Sequence, residues 1–405
     1  MTDKKVIVVG AGPAGATLAY LMARNGVSVL LLEKYHDFER LFRGEGLQPS
    51  GIDAFQQMGL GEKLMQLPKA IVKTMELYQG GRVCVRIPTE QLGFIVCFIS
   101  QPALLQMLVS EAHQYRSFQI ELGATVRDLL REGDRVVGVI ADTSAGRREY
   151  TAELVVGTDG RHSTLRRHGP FVELTSPQSF DILWLKVPFP DFWPDRTTVR
   201  LEFGSGYLTG GIPTSDGQLQ TGFTIVKGSY KQLRASGTQV MMEELLPRMS
   251  AELAAHLRQH WEAVSRTVLL DVVVGRLTTW TAPGLLLLGD AAHPMSPIGG
   301  QGINVALRDA LVAANHLCPV LTSGSDLAAI DAAARQVESE RMPEIITLQE
   351  HQKKQARLFL DSNRAISKLA LQLVPFLVRT GLVKLLVGDR LKAFQHGVVP
   401  VRLTV

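Results

Sequence analysis

The apolar and polar positions near the start of the chain predict one β-α-β unit. Val6–Val9 is a short apolar run, Ala16–Arg24 repeats apolar residues at helical spacing, and Val27–Leu32 is a second apolar run. This order of patterns is typical of a strand, a helix and a strand. Gly26 is suited to end the helix, so we expect the three elements to be closely connected.

Short apolar runs separated by turn residues predict further strands in the middle of the chain. The predicted strands are Phe94–Ile99, Val136–Ile140, Leu154–Val156, Ile182–Val187, Thr197–Phe203, Tyr207–Ile212, Gln218–Val226, Thr267–Val274 and Leu285–Leu288. A helix is expected to open at Pro102, a helical stretch to cover about 231–262, and the end of the chain from about 303 to 400 to be mostly helical.

These elements predict an α/β (α+β) fold with an interrupted first domain. A Rossmann-like nucleotide-binding domain is expected over residues 1–177 and 276–340. A second, β-sheet domain is inserted at 178–275, and a helical C-terminal region follows at 341–405. The length of 405 residues agrees with two domains and an appendage.

Charge and cysteine content exclude several classes of protein. The net charge of +4 on 405 residues is too small for a nucleic-acid-binding face. Cys84, Cys97 and Cys318 are far apart and form no C-x-x-C pair, so neither a disulfide framework nor a zinc module is predicted. The run Val6–Val9 is too short for a secretory signal. We therefore expect a soluble, cytoplasmic protein that binds no metal.

The C-terminal stretch 363–400 permits two interpretations. Its leucines recur among basic residues, as in a helix that lies on a membrane surface. Pro375 and Gly381 interrupt the pattern, which favours packing over the first domain, and membrane association through the tail remains the alternative.

The first motif that carries chemistry is Gly10-Ala11-Gly12-Pro13-Ala14-Gly15, directly between the first strand and the first helix. In a dinucleotide site the first glycine allows the turn, the second lets the backbone approach a pyrophosphate, and the third lets the helix pack on the strand. Glu33 ends the second strand, where a carboxylate binds ribose hydroxyls. The motif predicts a dinucleotide site.

Two later motifs also join a strand to a turn and a helix. Asp159-Gly160 follows the strand that ends near Gly157, and these residues suit either a tight turn alone or a nucleotide contact. The third motif runs from Gly289 to Asn304 and contains Asp290 together with three glycines before a helix predicted over Ile303–Leu317. The N-terminus of that helix would stabilise a negative charge placed next to it.

In this order and at these separations, the three motifs resemble those of the p-hydroxybenzoate hydroxylase-like family of FAD-dependent monooxygenases (class A), which includes the ubiquinone-pathway hydroxylases. The resemblance covers about residues 5–340. It implies that FAD is bound by Gly10, Gly12, Pro13, Ala14, Gly15, Glu33, Lys34, Arg43, Gln101, Asp159, Gly160, Asp290, Pro297, Gly300, Gly302, Ile303 and Asn304.

The resemblance also implies separate roles within this set. Asp290 matches the ligand of the ribityl chain, and Pro297 and Gly302 line the flavin ring. Arg43 falls where the family places an arginine against the flavin or its phosphates, although a surface arginine is an alternative. Gln101 stands where many members carry arginine and some carry glutamine, and a polar residue that merely starts a helix is the alternative there.

The activity implied by the resemblance is oxygenation. NAD(P)H would reduce FAD, and a C4a-hydroperoxyflavin formed with O2 would hydroxylate a small aromatic or otherwise electron-rich organic substrate, for example one of secondary metabolism. Because the cofactor carries this chemistry, no catalytic side chain is expected, and His293 is interpreted as a structural hydrogen-bonding residue. The sequence contains no second G-x-G-x-x-G motif for the nicotinamide coenzyme.

Two alternatives stay open at this point. A reductase or dehydrogenase of the same fold, acting on an isoprenoid or another unsaturated substrate, would share the FAD motifs, and a non-catalytic flavin-binding protein would share them as well. A halogenase is disfavoured because Trp184 and Trp193 do not form the W-x-W-x-I-P segment of that group.

The substrate is expected between the flavin and the sheet of residues 178–275. Alternation along two predicted strands points to Tyr207, Thr209, Thr221 and Phe223 as lining residues. The identity of the substrate, the choice between NADH and NADPH, and the choice between monomer and homodimer are not determined by the sequence.

Overall fold

The computed structural model describes residues 4–39, 46–79, 82–92, 96–204, 207–264, 267–324, 326–360, 380 and 396–405. Its strands are β1 (Lys4–Val9), β2 (Val29–Glu33), β3 (Gly46–Leu47), β4 (Lys69–Val72), β5 (Thr74–Gln79), β6 (Arg82–Pro88), β7 (Val96–Ile99), β8 (Phe118–Leu122), β9 (Thr125–Glu132), β10 (Arg135–Thr143), β11 (Gly146–Gly157), β12 (Glu173–Thr175), β13 (Phe180–Pro188), β14 (Thr198–Gly204), β15 (Tyr207–Pro213), β16 (Gln218–Val226), β17 (Val268–Leu270), β18 (Gly275–Leu277), β19 (Thr281–Ala282) and β20 (Leu285–Leu287).

The helices alternate with these strands in the first half and dominate the last quarter. They are α1 (Pro13–Arg24), α2 (Pro49–Gln57), α3 (Gly61–Gln66), α4 (Thr89–Leu92), α5 (Gln101–Ala112), α6 (Thr164–His168), α7 (Tyr230–Ala235), α8 (Thr238–Leu245), α9 (Ala251–Gln259), α10 (Trp261–Val264), α11 (Gly302–Thr322) and α12 (Leu327–Leu360). Short 3-10 turns cover Leu246–Arg248 and Gly289–Ala291.

The first sheet is built around β1 and has the order β19-β20-β11-β1-β2-β8. β1 pairs in parallel with both β2 and β11, and β11 pairs in parallel with β20. The strand interiors are apolar on both sides, as in the buried run Val29–Leu32 of β2, which is typical of a parallel sheet covered on both faces. The carboxyl ends of β1, β11 and β20 therefore share one edge, where all three glycine motifs begin.

The second sheet has the order β17-β13-β16-β15-β14-β5-β6. One of its faces packs on α8 and α9 through an apolar cluster that includes Leu183, Phe223, Met242 and Leu257. The β5–β6 hairpin joins this sheet through parallel pairing of β5 with β14. The predicted domain limits stay a prediction, and residues 74–88 add strands to the second sheet from within the first predicted segment.

Most predicted elements are present, and those that differ have local causes. The helical stretch predicted over 231–262 is divided into α7 to α10, with Gly237 at φ +94° between the first two. The strand predicted over Thr267–Val274 ends at Leu270, because the Val272 N–H donates to the side-chain carboxylate of Asp181 at 2.9 Å instead of to a backbone carbonyl of the neighbouring strand.

The end of the chain packs back on the first domain. The α11 helix contacts α1, α2 and α12. Val401 is buried, and Arg24 donates a hydrogen bond to the Val405 carbonyl at 2.7 Å. Most of the stretch 363–400, for which the two interpretations were given, lies outside the described residues. None of the helices in the described part of the chain combines the length and the hydropathy that crossing a membrane requires.

Candidate functional site

One continuous cavity of about 1340 Å³ runs from the glycine motif after β1 to the second sheet. Its wall includes Gly10 and Gly12 at one end and Trp184 and Gly222 at the other. A single small-molecule site usually occupies roughly 300–1,000 Å³. The cavity is therefore large enough for two molecules, one against each end.

The first motif forms a cradle for a dinucleotide at the first end. A Cβ atom on Gly10 would lie 2.6 Å from the Thr158 carbonyl oxygen, and one on Gly15 would lie 2.0 Å from the Gly10 carbonyl oxygen. These two glycines let β1, α1 and β11 meet closely. A Cβ on Gly12 would meet no heavy atom within 4 Å, so the backbone at Gly12 is open on the cavity side.

The N-terminal end of α1 faces the cavity. Gly12 is its N-cap and makes no side-chain cap bond, and Gly12, Pro13 and Ala14 all lie on the cavity wall. The backbone N–H groups at a helix N-terminus have no partners within the helix and attract phosphate. Gly15 itself lies behind the wall, where it fits α1 against the sheet.

Glu33 closes the cradle beside α1. Its side chain is only 3% exposed and accepts hydrogen bonds from the Ala11 N–H at 2.7 Å and the Tyr35 N–H at 3.1 Å. Both Glu33 and Lys34 lie on the cavity wall. A carboxylate held by backbone donors at this position is suited to accept hydrogen bonds from ribose hydroxyls.

Asp159 serves the protein backbone as well as the cavity wall. Its carboxylate accepts hydrogen bonds from the Thr164 N–H at 2.7 Å and the Leu165 N–H at 3.2 Å, at the start of α6. Burial raises the pKa of Asp159 above its usual value, against these hydrogen bonds, which lower it. The Asp159 side chain thus stabilises the turn. Gly160, at φ +81°, lies in the same turn and forms part of the cavity wall.

Asp290 in the third motif forms an ion pair with Arg161, and both residues lie on the cavity wall. Its carboxylate accepts a hydrogen bond from Arg161 Nε at 3.1 Å. Arg166 donates to the Ala291 carbonyl at 3.1 Å and so connects the second motif to the third. Neither arginine was predicted as a site residue, because no local sequence pattern identifies the partner of an arginine.

Asn304, in the first turn of α11, stabilises the glycine loop that precedes this helix. The Asn304 carboxamide donates to the Gly300 carbonyl at 2.9 Å and accepts from the Gln48 N–H at 2.8 Å. Its side chain is fully buried and does not lie on the cavity wall, whereas Pro297, Gly300, Gly302 and Ile303 do. Asn304 therefore positions the loop.

The remaining predicted cofactor residues have different outcomes. Gln101 is 6% exposed, begins α5 and lies on the cavity wall. Arg43 lies outside the described residues. His293 is 1% exposed and its Nε2 atom lies 2.7 Å from Asp309 Oδ2, in agreement with a structural role.

The second sheet closes the other end with apolar side chains. Its apolar lining residues on four strands, β5, β13, β14 and β15, are Met75, Leu77, Phe180, Ile182, Trp184, Val199, Leu201, Phe203, Leu208 and Ile212. Gly222 in β16 leaves room for the Trp184 ring on this face, because a Cβ atom there would lie 2.6 Å from that ring. The apolar side chains at this end suit an apolar molecule.

The structure does not bring Tyr207, Thr209, Thr221 and Phe223 to the cavity. Successive side chains of a strand point to opposite faces, and Leu208, Gly210 and Ile212 of β15 are the ones on the cavity wall. Phe223 packs on the helical side, and the Thr221 hydroxyl donates to the Gly210 carbonyl at 2.9 Å. The expected strands are correct, and the lining residues are their neighbours.

The donors and openings at the first end fit FAD. An anion-attracting helix N-terminus, an open glycine backbone, a ribose-binding carboxylate and a glycine loop before a second helix surround one elongated space. FAD has a pyrophosphate, ribose hydroxyls and a flat ring system, and each of these parts can contact one of these features. The backbone at Gly12, Gly300 and Gly302 is open to contact with FAD, because a Cβ atom at each position would meet no heavy atom within 4 Å.

Comparison with known proteins supports the same cofactor. The model of the FAD binding domain family matches residues 3–342. The chain is 33% identical over 370 residues to 6-methylpretetramide 4-monooxygenase of Streptomyces rimosus, covering 89% of this chain and 85% of that protein. It is 26% identical over 366 residues to an FAD-dependent monooxygenase of Aspergillus calidoustus, ausM, with 84% and 76% covered.

Solved structures share the fold. Pseudomonas aeruginosa PqsL in complex with 2-aminobenzoylacetate superposes with a TM-score of 0.75 at 21% identity, covering 89% of this chain and 98% of PqsL. The p-nitrophenol 4-monooxygenase PnpA of Pseudomonas putida has a TM-score of 0.78 at 17% identity, with 96% and 98% covered. With the family match over most of the chain, the chain belongs to the FAD binding domain family, in its p-hydroxybenzoate hydroxylase-like group of FAD-dependent monooxygenases.

Proposed function

We propose that this protein uses NAD(P)H and O2 to hydroxylate a flat, multi-ring aromatic compound of the kind represented by 6-methylpretetramide. The observation that carries the proposal is the continuity of the cavity, which joins a dinucleotide cradle to an apolar sheet face. The 33% identical relative, named for 6-methylpretetramide, supports an aromatic substrate.

The cofactor would be held by the residues of the three motifs. Glu33 would bind a ribose, the N-terminus of α1 and the open backbone at Gly12 would bind the pyrophosphate, and Asp290 would bind the ribityl chain. The loop with Pro297, Gly300 and Gly302 would lie against the ring system. When bound, FAD supplies the redox chemistry with NAD(P)H and O2 that none of the side chains provides.

The chain's own contribution is positioning and the exclusion of water. The N-terminus of α11, at Gly302, places a positive partial charge next to the loop and so favours negative charge there. The apolar wall of Trp184, Leu208 and Ile212 would hold the aromatic rings and keep water from the reacting atoms. If water entered the pocket, reducing equivalents would be lost to the formation of hydrogen peroxide instead of product.

The proposal is tested by turnover of the purified protein loaded with FAD. Oxygen consumption is measured with NADH or NADPH, with and without 6-methylpretetramide, and the product is examined by mass spectrometry under isotopically labelled O2. We expect aromatic-stimulated oxygen consumption and a product that carries one labelled oxygen atom. Turnover that persists without O2 would indicate a reductase, and bound flavin that neither coenzyme reduces would indicate a non-catalytic flavoprotein.

A further inference from the structure

We propose that Gln220 determines substrate specificity by forming a hydrogen bond with a neutral oxygen substituent, a hydroxyl or carbonyl group, on the aromatic substrate. This inference rests on the proposed function and specifies the chemistry of the substrate end of the cavity. Gln220 lies in β16, on the cavity face of the second sheet.

The carboxamide of Gln220 is buried without a partner. The residue is 7% exposed, and its side chain forms no hydrogen bond with any of the described residues. Its neighbours in the sheet are Ile212 on β15 and Lys186 on β13. A buried polar group without a hydrogen bond is costly, and the open space on the cavity side is where Gln220 can find one.

The other polar residues on this face are already satisfied. The Thr224 hydroxyl accepts a hydrogen bond from the Leu208 N–H at 2.8 Å and donates one to the Leu208 carbonyl at 3.2 Å. The Thr214 hydroxyl bonds the Gln218 carbonyl at 2.9 Å. Among the described cavity residues of β15 and β16, Gln220 is therefore the one whose side chain has both a hydrogen-bond donor and an acceptor that are not already used.

The charges around the cavity favour a neutral substituent. The charged lining residues come from the cofactor motifs, β9, α6 and Asp271, and they are Glu33, Lys34, Arg127, Asp159, Arg161, Arg167, Asp271 and Asp290. Asp271 is paired with Lys227 at 2.5 Å, and Lys186, beside Gln220, is paired with Asp216 at 3.3 Å. A substrate carboxylate at Gln220 would have to compete with Asp216 for Lys186, the cation that the sheet register places beside Gln220, and an unpaired buried charge is costly.

The experiment compares three ligands of one shape on the FAD-loaded protein: anthracene, its 2-hydroxy derivative and its 2-carboxylate. Dissociation constants are measured from the change in flavin fluorescence, for the unchanged protein, Gln220→Met and Gln218→Met. Methionine keeps the length of glutamine without the amide. Gln218 is the matched control, since it lies on the same strand and is exposed outside the cavity.

We expect the unchanged protein to bind the hydroxy compound about tenfold more tightly than anthracene, the value of one additional hydrogen bond, and to bind the carboxylate more weakly than either. Gln220→Met is expected to remove the preference for the hydroxy compound, and Gln218→Met to retain it. The ligand series on the unchanged protein needs no variant, so poor folding of Gln220→Met does not prevent the test.

Three outcomes would overturn the inference. One is equal binding of the hydroxy compound and anthracene by the unchanged protein, and another is a carboxylate that binds as tightly as the hydroxy compound. The third is a preference that survives in folded Gln220→Met. A protein that takes up no FAD would overturn the proposed function first, and flavin content, measured before any ligand is added, distinguishes that failure from the others.

Discussion

The Nε2 atom of His293 lies 2.7 Å from Oδ2 of Asp309, and neither side chain is more than 1% exposed. Asp309 also accepts hydrogen bonds from Arg341 at 2.8 Å and from the Gly289 N–H at 3.2 Å. One carboxylate on α11 thus connects the third motif to α12. Glu344 extends the network to Arg308 at 3.0 Å and to the Val398 N–H at 2.8 Å, and so to the end of the chain.

Asp309→Asn is predicted to lower the free energy of unfolding by about 3–5 kcal/mol, the cost of removing one partner of a buried ion pair. The variant removes one of the two carboxylates that pair with the fully buried Arg341, and Glu344 remains as the other. Urea unfolding followed by circular dichroism measures the change. Asp142→Asn is the control, since its pair with Arg127 is exposed and exposed pairs contribute at most about 1 kcal/mol. Equal effects of the two variants would contradict the prediction.

Acid is predicted to remove the contribution of Asp309. Burial alone would raise the pKa of Asp309, but the charges of His293 and Arg341 and their hydrogen bonds lower it to about 2. An aspartate in an unfolded chain has a pKa of about 4. A pKa that is lower in the folded state stabilises the protein above the unfolded value, and this stabilisation is lost as the pH falls towards the folded value.

The stability difference between the unchanged protein and Asp309→Asn should therefore shrink as the pH falls from about 4 to about 2. Unfolding curves of both proteins across that range provide the measurement. A difference that stays constant with pH would show that the carboxylate of Asp309 does not titrate as described.

Gly12→Val and Gly15→Val are predicted to fail in different ways. The new side chain at residue 12 points into open cavity, with no heavy atom within 4 Å of its Cβ, so the protein should fold and lose FAD. At residue 15 the Cβ would lie 2.0 Å from the Gly10 carbonyl oxygen, so the melting temperature itself should fall. Flavin content and thermal unfolding, measured without added FAD, separate the two effects. A folded Gly12→Val protein with full flavin content would refute the pyrophosphate site.

Most residues that the sequence assigns to the cofactor lie together on one cavity wall, because the signals that identify them are local. The turn at Gly10 and the strand that ends at Glu33 lie within one β-α-β unit, and apolar runs on either side define its strands. The partners of those residues were not predictable. Arg161 pairs with Asp290, more than a hundred positions along the chain, and no local pattern specifies such a contact.

The substrate end was predicted less well because both faces of its central strand are buried. Every residue of β16 except its two ends is buried, from Leu219 to Ile225. One face is covered by helices and the other borders the cavity. Alternation of polar and apolar residues normally identifies the inner face, but in β16 the apolar residues Leu219, Phe223 and Ile225 pack on the helices and the more polar Gln220 and Thr224 border the cavity. The alternation therefore could not show which face lines the cavity.

Gln352→Leu is predicted to weaken FAD binding about tenfold by releasing the loop that carries Pro297. The carboxamide of Gln352, buried in α12, accepts from the Ser296 N–H at 3.1 Å and donates to the Ser296 and Ile298 carbonyls, each at 3.0 Å. Leucine would leave these backbone groups without partners, at a cost of about 1–3 kcal/mol for each buried group. The dissociation constant for FAD, measured by fluorescence titration, reports the effect.

The neighbouring Lys353→Leu is the control for Gln352→Leu. Lys353 lies on the exposed side of the same helix, so FAD binding should be unchanged. If the two variants bind FAD equally well, the loop does not depend on Gln352.

Leu208→Trp is predicted to obstruct the substrate end of the cavity while leaving FAD bound. Leu208 lies on the cavity wall and pairs across the sheet with Phe203, another wall residue. The larger indole ring would occupy space otherwise available to an aromatic ligand, and the cofactor motifs at the other end would be untouched. Because an overfilled site excludes large ligands more than small ones, affinity for anthracene should fall by about tenfold or more while affinity for benzene changes less.

Val226→Trp is the control for Leu208→Trp, since Val226 is 69% exposed at the end of β16. Flavin content and the two dissociation constants give the measurement. Unchanged anthracene binding in Leu208→Trp would mean that aromatic ligands do not lie against this face, and the assignment of the second sheet as the substrate wall would then fail.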